Sequence, residues 1–132
     1  MSWQAYIDEQ LMVPLRGGGA LSAAAILGED GGVWAASPAF PEVSDAEVAA
    51  VMRGFADVGS LAAAGLRLGG VKYMVVAGEP GEVIRGKKGA GGAVVKKTAT
   101  ALVVGLYDEG AAPGDVNVAV EGLGDYLKEP GI

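Results

Sequence analysis

Residues 66–107 read LRLGGVKYMVVAGEPGEVIRGKKGAGGAVVKKTATALVVGLY. Short apolar runs rich in Val and Leu alternate with glycine-containing breaks, and this rhythm decides the fold. The runs Leu66–Leu68, Val71–Ala77, Val83–Lys87, Ala93–Lys97 and Ala99–Tyr107 have strand composition. Gly69-Gly70, Glu79-Pro80-Gly81 and Gly89–Gly92 separate them as turns. Connections this short leave no room for a crossover helix, so consecutive strands pair antiparallel as a meander.

Upstream, Ala20–Leu27 and Val33–Ala36 flank Gly28-Glu29-Asp30-Gly31-Gly32, which predicts a β-hairpin. Before it, Trp3, Ile7 and Leu11 fall at helical spacing, with Ser2 as N-cap and Pro14 and Gly17-Gly18-Gly19 ending the helix. Between hairpin and meander, Ser44-Asp45-Ala46-Glu47 forms a capping box, and Val48, Val51, Met52 and Phe55 continue a helical stripe to about Asp57. Leu61–Gly65 reads as a connector. After Pro113-Gly114-Asp115, the residues Val116, Val120, Leu123 and Leu127 step by three or four along a last helix. This order predicts an α+β fold in one domain, residues 1–132, with helices packed on the faces of one antiparallel sheet.

Composition narrows the chemistry. The 132 residues include 16 acidic and 10 basic side chains, a net charge of −6, with 51% hydrophobic residues and neither Cys nor His. That excludes a Cys/His zinc site, a thiol nucleophile and an imidazole base, and leaves only hard oxygen-bound cations as candidate metals. The acidic pairs Asp8/Glu9, Glu29/Asp30 and Asp108/Glu109 lie on helix or turn positions, and no nucleophile–base set can be assembled. An enzyme is not expected, nor is any cofactor. Gly81 to Lys87 imitates a phosphate-binding loop, but Lys88 stands where a Ser or Thr hydroxyl is required and no helix follows. The N-terminus lacks signal-peptide regions and the apolar runs are too short to span a bilayer, so a cytoplasmic domain is expected.

Two constellations remain. Five of the ten bases (Arg85, Lys87, Lys88, Lys96 and Lys97) lie in one stretch that no acid interrupts. If the Gly89–Gly92 turn folds the two strands together, both basic clusters sit near the turn and converge on an anion. The alternative is a solvated edge hairpin, where lysines guard against aggregation. An acidic partner or anionic lipid fits the cluster; nucleic acid does not, because the acidic remainder repels a phosphate backbone and no aromatics interleave with the bases. The second constellation is aromatic. Trp3 and Tyr6 share a helix face, Trp34 follows the hairpin turn and Tyr126 lies near the end of the last helix. If the terminal helices pack side by side, these four form an exposed groove suited to polyproline II segments. If not, they are ordinary core, a reading that the Trp3–Ile7–Leu11 stripe favours.

Several stretches together resemble the profilin family, in its plant-type form. They are Met1 to Met12 (MSWQAYIDEQLM), Asp30 to Ala35 (DGGVWA), Leu68 to Val75 (LGGVKYMV), Val83 to Gly92 (VIRGKKGAGG), Lys96-Lys97-Thr98 and Leu123 to Leu127 (LGDYL). The resemblance covers the whole chain in order. It implies a central antiparallel sheet with the N- and C-terminal helices on one face and further short helices on the other. It also implies a monomeric, cytoplasmic and cytoskeleton-associated protein that binds monomeric actin, proline-rich filament-assembly factors and phosphatidylinositol bisphosphate. The alternative is a phosphoinositide-binding or trafficking-type scaffold without actin binding.

By resemblance, Trp3, Tyr6, Trp34 and Tyr126 match polyproline-binding aromatics, and Ile132 replaces a C-terminal tyrosine of many relatives. Actin binding maps to Lys72, Arg85, Lys87, Lys88, Asn117 and Glu121, with Gly122 where plant-type relatives commonly carry Arg. Phosphoinositide binding maps to Arg85, Lys87, Lys88, Lys96 and Lys97. Val13 and Asp115 stand where plant-type relatives often have cysteines, so their redox sensitivity does not transfer. Animal relatives place a histidine in the groove where this chain has Tyr126.

Overall fold

The computed structural model describes residues 2–132. Seven antiparallel strands form one sheet in the order β2-β1-β7-β6-β5-β4-β3. The strands are β1 (Ala23–Gly28), β2 (Val33–Ala36), β3 (Leu66–Leu68), β4 (Val71–Glu79), β5 (Val83–Lys88), β6 (Gly91–Lys97) and β7 (Ala101–Tyr107). The meander β3 to β7 is the one read from residues 66–107, and the N-terminal hairpin extends it by pairing β1 with β7.

Helices cover both faces. On one lie α1 (Trp3–Tyr6), its continuation to Leu11, and α4 (Pro113–Lys128), which pack Ile7, Leu11, Val116, Val120, Leu123 and Leu127 onto Ala24, Ile26, Val94 and Val103. On the other lie α2 (Asp45–Ala56) and α3 (Val58–Ala64), which pack Val48, Val51, Phe55 and Leu61 onto Ala25, Leu27, Val95 and Val104. Successive strand residues point to opposite faces. Strands covered on both sides therefore need apolar residues at every position, which explains the unbroken runs of β1 and β7.

Two glycines set how closely α4 approaches. A Cβ on Gly105, in the middle of β7, would collide with Val120 of α4; one on Gly124, inside α4, would collide with the stem of Lys96 on β6. Glycine in a helix interior costs about 1 kcal/mol relative to alanine, and here its place is fixed by that contact.

Two elements depart from the sequence reading. The expected connector Leu61–Gly65 lies largely in helix α3, which begins where the Asp57 carboxylate accepts from the Ser60 N–H (3.2 Å) and is anchored by buried Leu61. Capping by Asp and the alanine run that follows favour a helix. The first helix is capped by Ser2 as expected but ends at Leu11, short of Pro14, and residues Ile7–Leu11 wind as a π-helix, with the Met12 N–H donating to Ile7 O at 2.8 Å. The wider turn still keeps Ile7 and Leu11 on the buried side.

Glu47 ties the second layer together. The capping box is complete, with the Glu47 N–H donating to Ser44 Oγ (3.1 Å) and the Ser44 N–H to Glu47 Oε1 (3.0 Å). The same carboxylate also accepts from the N–H groups of Gly69 (3.0 Å) and Gly70 (2.8 Å) in the β3–β4 turn. Partial burial works against its charged form, but the donors from Gly70, Ser44 and Gly69 outweigh it and hold the carboxyl below its ordinary value. Glu47→Ala should cost about 2 kcal/mol in denaturant unfolding at pH 7. With a depressed folded pKa, this stabilisation is present above the ordinary carboxyl range and is lost as pH falls through the folded value. The deficit of Glu47→Ala relative to wild type should therefore shrink in acid.

Candidate functional site

The four aromatics meet. Trp34 of β2 lies against Trp3 of α1, with ring centroids 4.9 Å apart and planes tilted by 44°. Trp3 contacts Tyr6 at 5.8 Å, and Tyr6 contacts Tyr126 of α4 at 6.1 Å. The rings form a row, Trp34–Trp3–Tyr6–Tyr126, in the tilted geometries aromatic pairs favour. The Ser2 cap starts α1 where Trp3 and Tyr6 share its upper face, while Ile7 and Leu11 anchor the following turn in the core. Gln4 ties α1 to the sheet edge by donating from Nε2 to Ala36 O at 3.1 Å.

The same rings pack on the core and keep part of their surface in solvent. Trp3, Tyr6 and Trp34 pack against the core from above and remain half-buried, whereas Tyr126 is 55% exposed. Desolvation, then the adjoining Tyr126, hold the Tyr6 phenol above its ordinary pKa. Ile132 packs against the same core layer; its N–H donates to Leu127 O (3.0 Å), and its carbonyl accepts from the Thr100 N–H (2.9 Å).

The basic stretch does not converge. In the β5–β6 register, Lys87 faces Gly92 and Lys88 faces Gly91 beside the turn, but Lys96 faces Val83 at the far end of the hairpin. Lys96 and Lys97 are therefore a full strand length from the turn, contrary to the expectation. They are also internally neutralised. Lys96 pairs with Glu82 (2.9 Å) and Asp125 (3.2 Å), and Lys97 pairs with Glu29 (3.2 Å). The sequence showed no acid within the stretch, but folding supplies acids from the β1–β2 turn, the β4–β5 turn and α4.

Arg85 and Glu121 meet in a two-pronged pair, with Arg85 Nε donating to Oε2 at 3.0 Å and Nη2 to Oε1 at 2.8 Å. The Glu121 bonds outweigh desolvation and raise the Arg85 pKa. Among the described residues, Lys72, Lys87 and Lys88 make no ion pair. Lys72 faces Arg67 across the β3–β4 ladder, and Lys87 faces Met74 across β4–β5. Asn117 lies one turn before Glu121 on α4, so all six expected actin-face residues occupy the outer strands and the adjoining helix.

Exposed apolar residues on this face escaped the sequence reading. Met74 (63% exposed) and Val76 (55%) lie on β4. Tyr73 and Val75 point into the layer under α2 and α3, so Met74 points to the other side, beside Lys87 and Arg85. Strand alternation through Val71–Val75 was the available signal. An extra residue opposite Arg85, a bulge between Val75 and Ala77, leaves Val76 outside the ladder.

Comparison with known proteins agrees with this geometry. The family model described as Profilin matches residues 1–132. The chain is similar to Acanthamoeba castellanii profilin IB, with 39% identity and a TM-score of 0.87 over 99% of this chain and 100% of that one. It is similar to Schizosaccharomyces pombe profilin at 35% identity, with a TM-score of 0.85 and the same coverage of each chain. Mouse profilin IIa, solved in complex with a double repeat from the FH1 domain of mDia1, matches at 25% identity with a TM-score of 0.80 over 100% of each chain. With a full-length family match and an antiparallel sheet carrying both terminal helices on one face, the chain belongs to the profilin family.

Proposed function

We propose that this protein binds monomeric actin and regulates its polymerisation while holding proline-rich filament-assembly factors on a separate face, and that it works by binding, without catalysis, in the cytoplasm. The observation that carries the proline-binding assignment is the row of four rings drawn from α1, β2 and α4. A polyproline II segment has flat ring faces and unbonded carbonyls. Trp3, Tyr6, Trp34 and Tyr126 offer matching flat surface together with indole and phenol donors, and Ile132, packed on the same core layer, is assigned to the site by the family resemblance alone. The FH1 repeat bound to the mouse relative is a ligand of this class.

Actin contacts are assigned to Lys72, Lys87, Lys88, Asn117 and the Arg85–Glu121 pair, around the exposed Met74 and Val76. Apolar surface framed by charges is the usual anatomy of a protein interface. For phosphoinositide, the attraction is carried by cations on this face that have no ion-pair partner among the described residues: Lys72, Lys87 and Lys88, joined by Arg67. Arg85, Lys96 and Lys97 spend their charge on Glu121, Glu82, Asp125 and Glu29, which removes them from the front rank of that site. Lipid and actin then compete for one face while proline ligands bind another.

Titrating poly-L-proline against intrinsic fluorescence should change the emission of both tryptophans, and Tyr126→Ala should weaken binding roughly tenfold. Absence of a spectral change would remove the groove assignment and favour a lipid-binding scaffold. Because no histidine lies in the groove, proline affinity should be flat between about pH 6 and 7, where an imidazole would titrate. Lys87→Glu should weaken both actin and phosphoinositide-vesicle binding roughly tenfold while leaving poly-L-proline affinity unchanged. Unaltered actin binding in that variant would place Lys87 outside the interface.

A further inference from the structure

Lys96 is a basic residue in the middle of a basic stretch, and its surroundings give it a different task. Its strand, β6, lies between β5 and β7, where Lys96 is registered with Val83 and Val103. Both of those belong to the core layer beneath α4, so the lysine points under that helix. Its side chain is only 6% exposed. The aliphatic stem fills the space that the missing side chain of Gly124 leaves open. The ammonium emerges between Glu82 Oε2 (2.9 Å) and Asp125 Oδ1 (3.2 Å), and Lys128 Nζ closes the group on Glu82 at 2.8 Å.

This cluster holds two cations and two carboxylates. Asp125 and Lys128 come from the end of α4, Lys96 from the sheet and Glu82 from the β4–β5 turn. Hydrogen bonds from Lys128, then Lys96, hold the Glu82 carboxyl down at about 2, so the cluster is fully charged at neutral pH. A buried ammonium persists only with such partners.

Tyr126 lies between Asp125 and Lys128 in sequence and is more than half exposed, so burial does not hold its ring. Its place against Tyr6 depends on how the last turns of α4 sit on the sheet; buried Leu123 and Leu127 hold those turns down, and the Lys96–Gly124 contact with its ion pairs fixes them on the β6 side. We propose that Lys96 is a positioning residue for proline-ligand binding, a strut that fixes the end of α4 and thereby the Tyr126 side of the groove. The proposal rests on the assignment of Tyr126 to that groove.

The test is Lys96→Met, which keeps the stem and removes the ammonium. It is read by titration with a proline decamer, with monomeric actin and with phosphatidylinositol-bisphosphate vesicles at a temperature well below unfolding. Proline affinity should fall about fivefold while actin and vesicle affinities stay within about twofold of wild type. General loosening of the fold would not produce that split. Asp125→Asn, whose side chain is 67% exposed, should shift proline affinity in the same direction by about twofold, and it decides the question if Lys96→Met does not fold. A folded Lys96→Met with wild-type proline affinity overturns the proposal, as does loss of vesicle binding with proline binding intact, which would return Lys96 to a lipid site. Failure of the wild-type protein itself to bind the decamer would instead overturn the groove assignment on which the proposal rests.

Discussion

The close seating of α4 on the sheet is the constraint on which the rest of the molecule depends. The helix touches β7 where Gly105 has no side chain and touches β6 where α4 itself has none, at Gly124. Between those points Val116, Val120, Leu123 and Leu127 are buried against the sheet. Burying each such side chain stabilises by about 1.5–3 kcal/mol before the entropy of ordering it is counted. From the same helix Glu121 reaches Arg85 on β5, and Tyr126 reaches Tyr6 on α1. One rigid element thus contributes to both the charged face and the aromatic groove.

The fold was legible in the sequence because its signals are local. Alternation, turn glycines and the Ser44–Glu47 box each act within a few residues, and they placed the meander, the hairpin and α2. Helix α3 was missed because its alanine-rich sequence offers almost no periodicity, leaving the Asp57 cap and Leu61 as its only marks. The π-helical end of α1 was illegible for another reason. Its hydrogen-bond pattern is set by what Ile7 and Leu11 pack against, which lies far away in sequence.

The candidate site divides along the same line. Four aromatics separated by up to 123 positions were grouped correctly once the terminal helices were placed side by side, because helix-face geometry is local and their adjacency follows from topology. The basic stretch was misread because charge neutralisation is non-local. Glu29, Glu82, Asp125 and Glu121 come from a turn beside β1, a turn between strands and the last helix to occupy Lys97, Lys96 and Arg85. A run of like charge in a sequence gives a count of cations. It does not say how many remain unpaired after folding.

That distinction bears on how an acidic protein presents a cationic face. The net charge of −6 repels anionic surfaces at long range, within a screening length of about 8 Å at physiological salt. Pairing Arg85, Lys96, Lys97 and Lys128 internally withdraws four cations from such an encounter. Among the bases left without an ion pair in the described residues, four lie close together: Lys72 and Arg67 on one ladder, Lys87 and Lys88 at the adjoining hairpin tip, with exposed Met74 beside them. A small patch of this kind engages only ligands that reach it at contact distance. The charges that stay inside hold strand to helix along the edge where the charged surface and the aromatic row share α4.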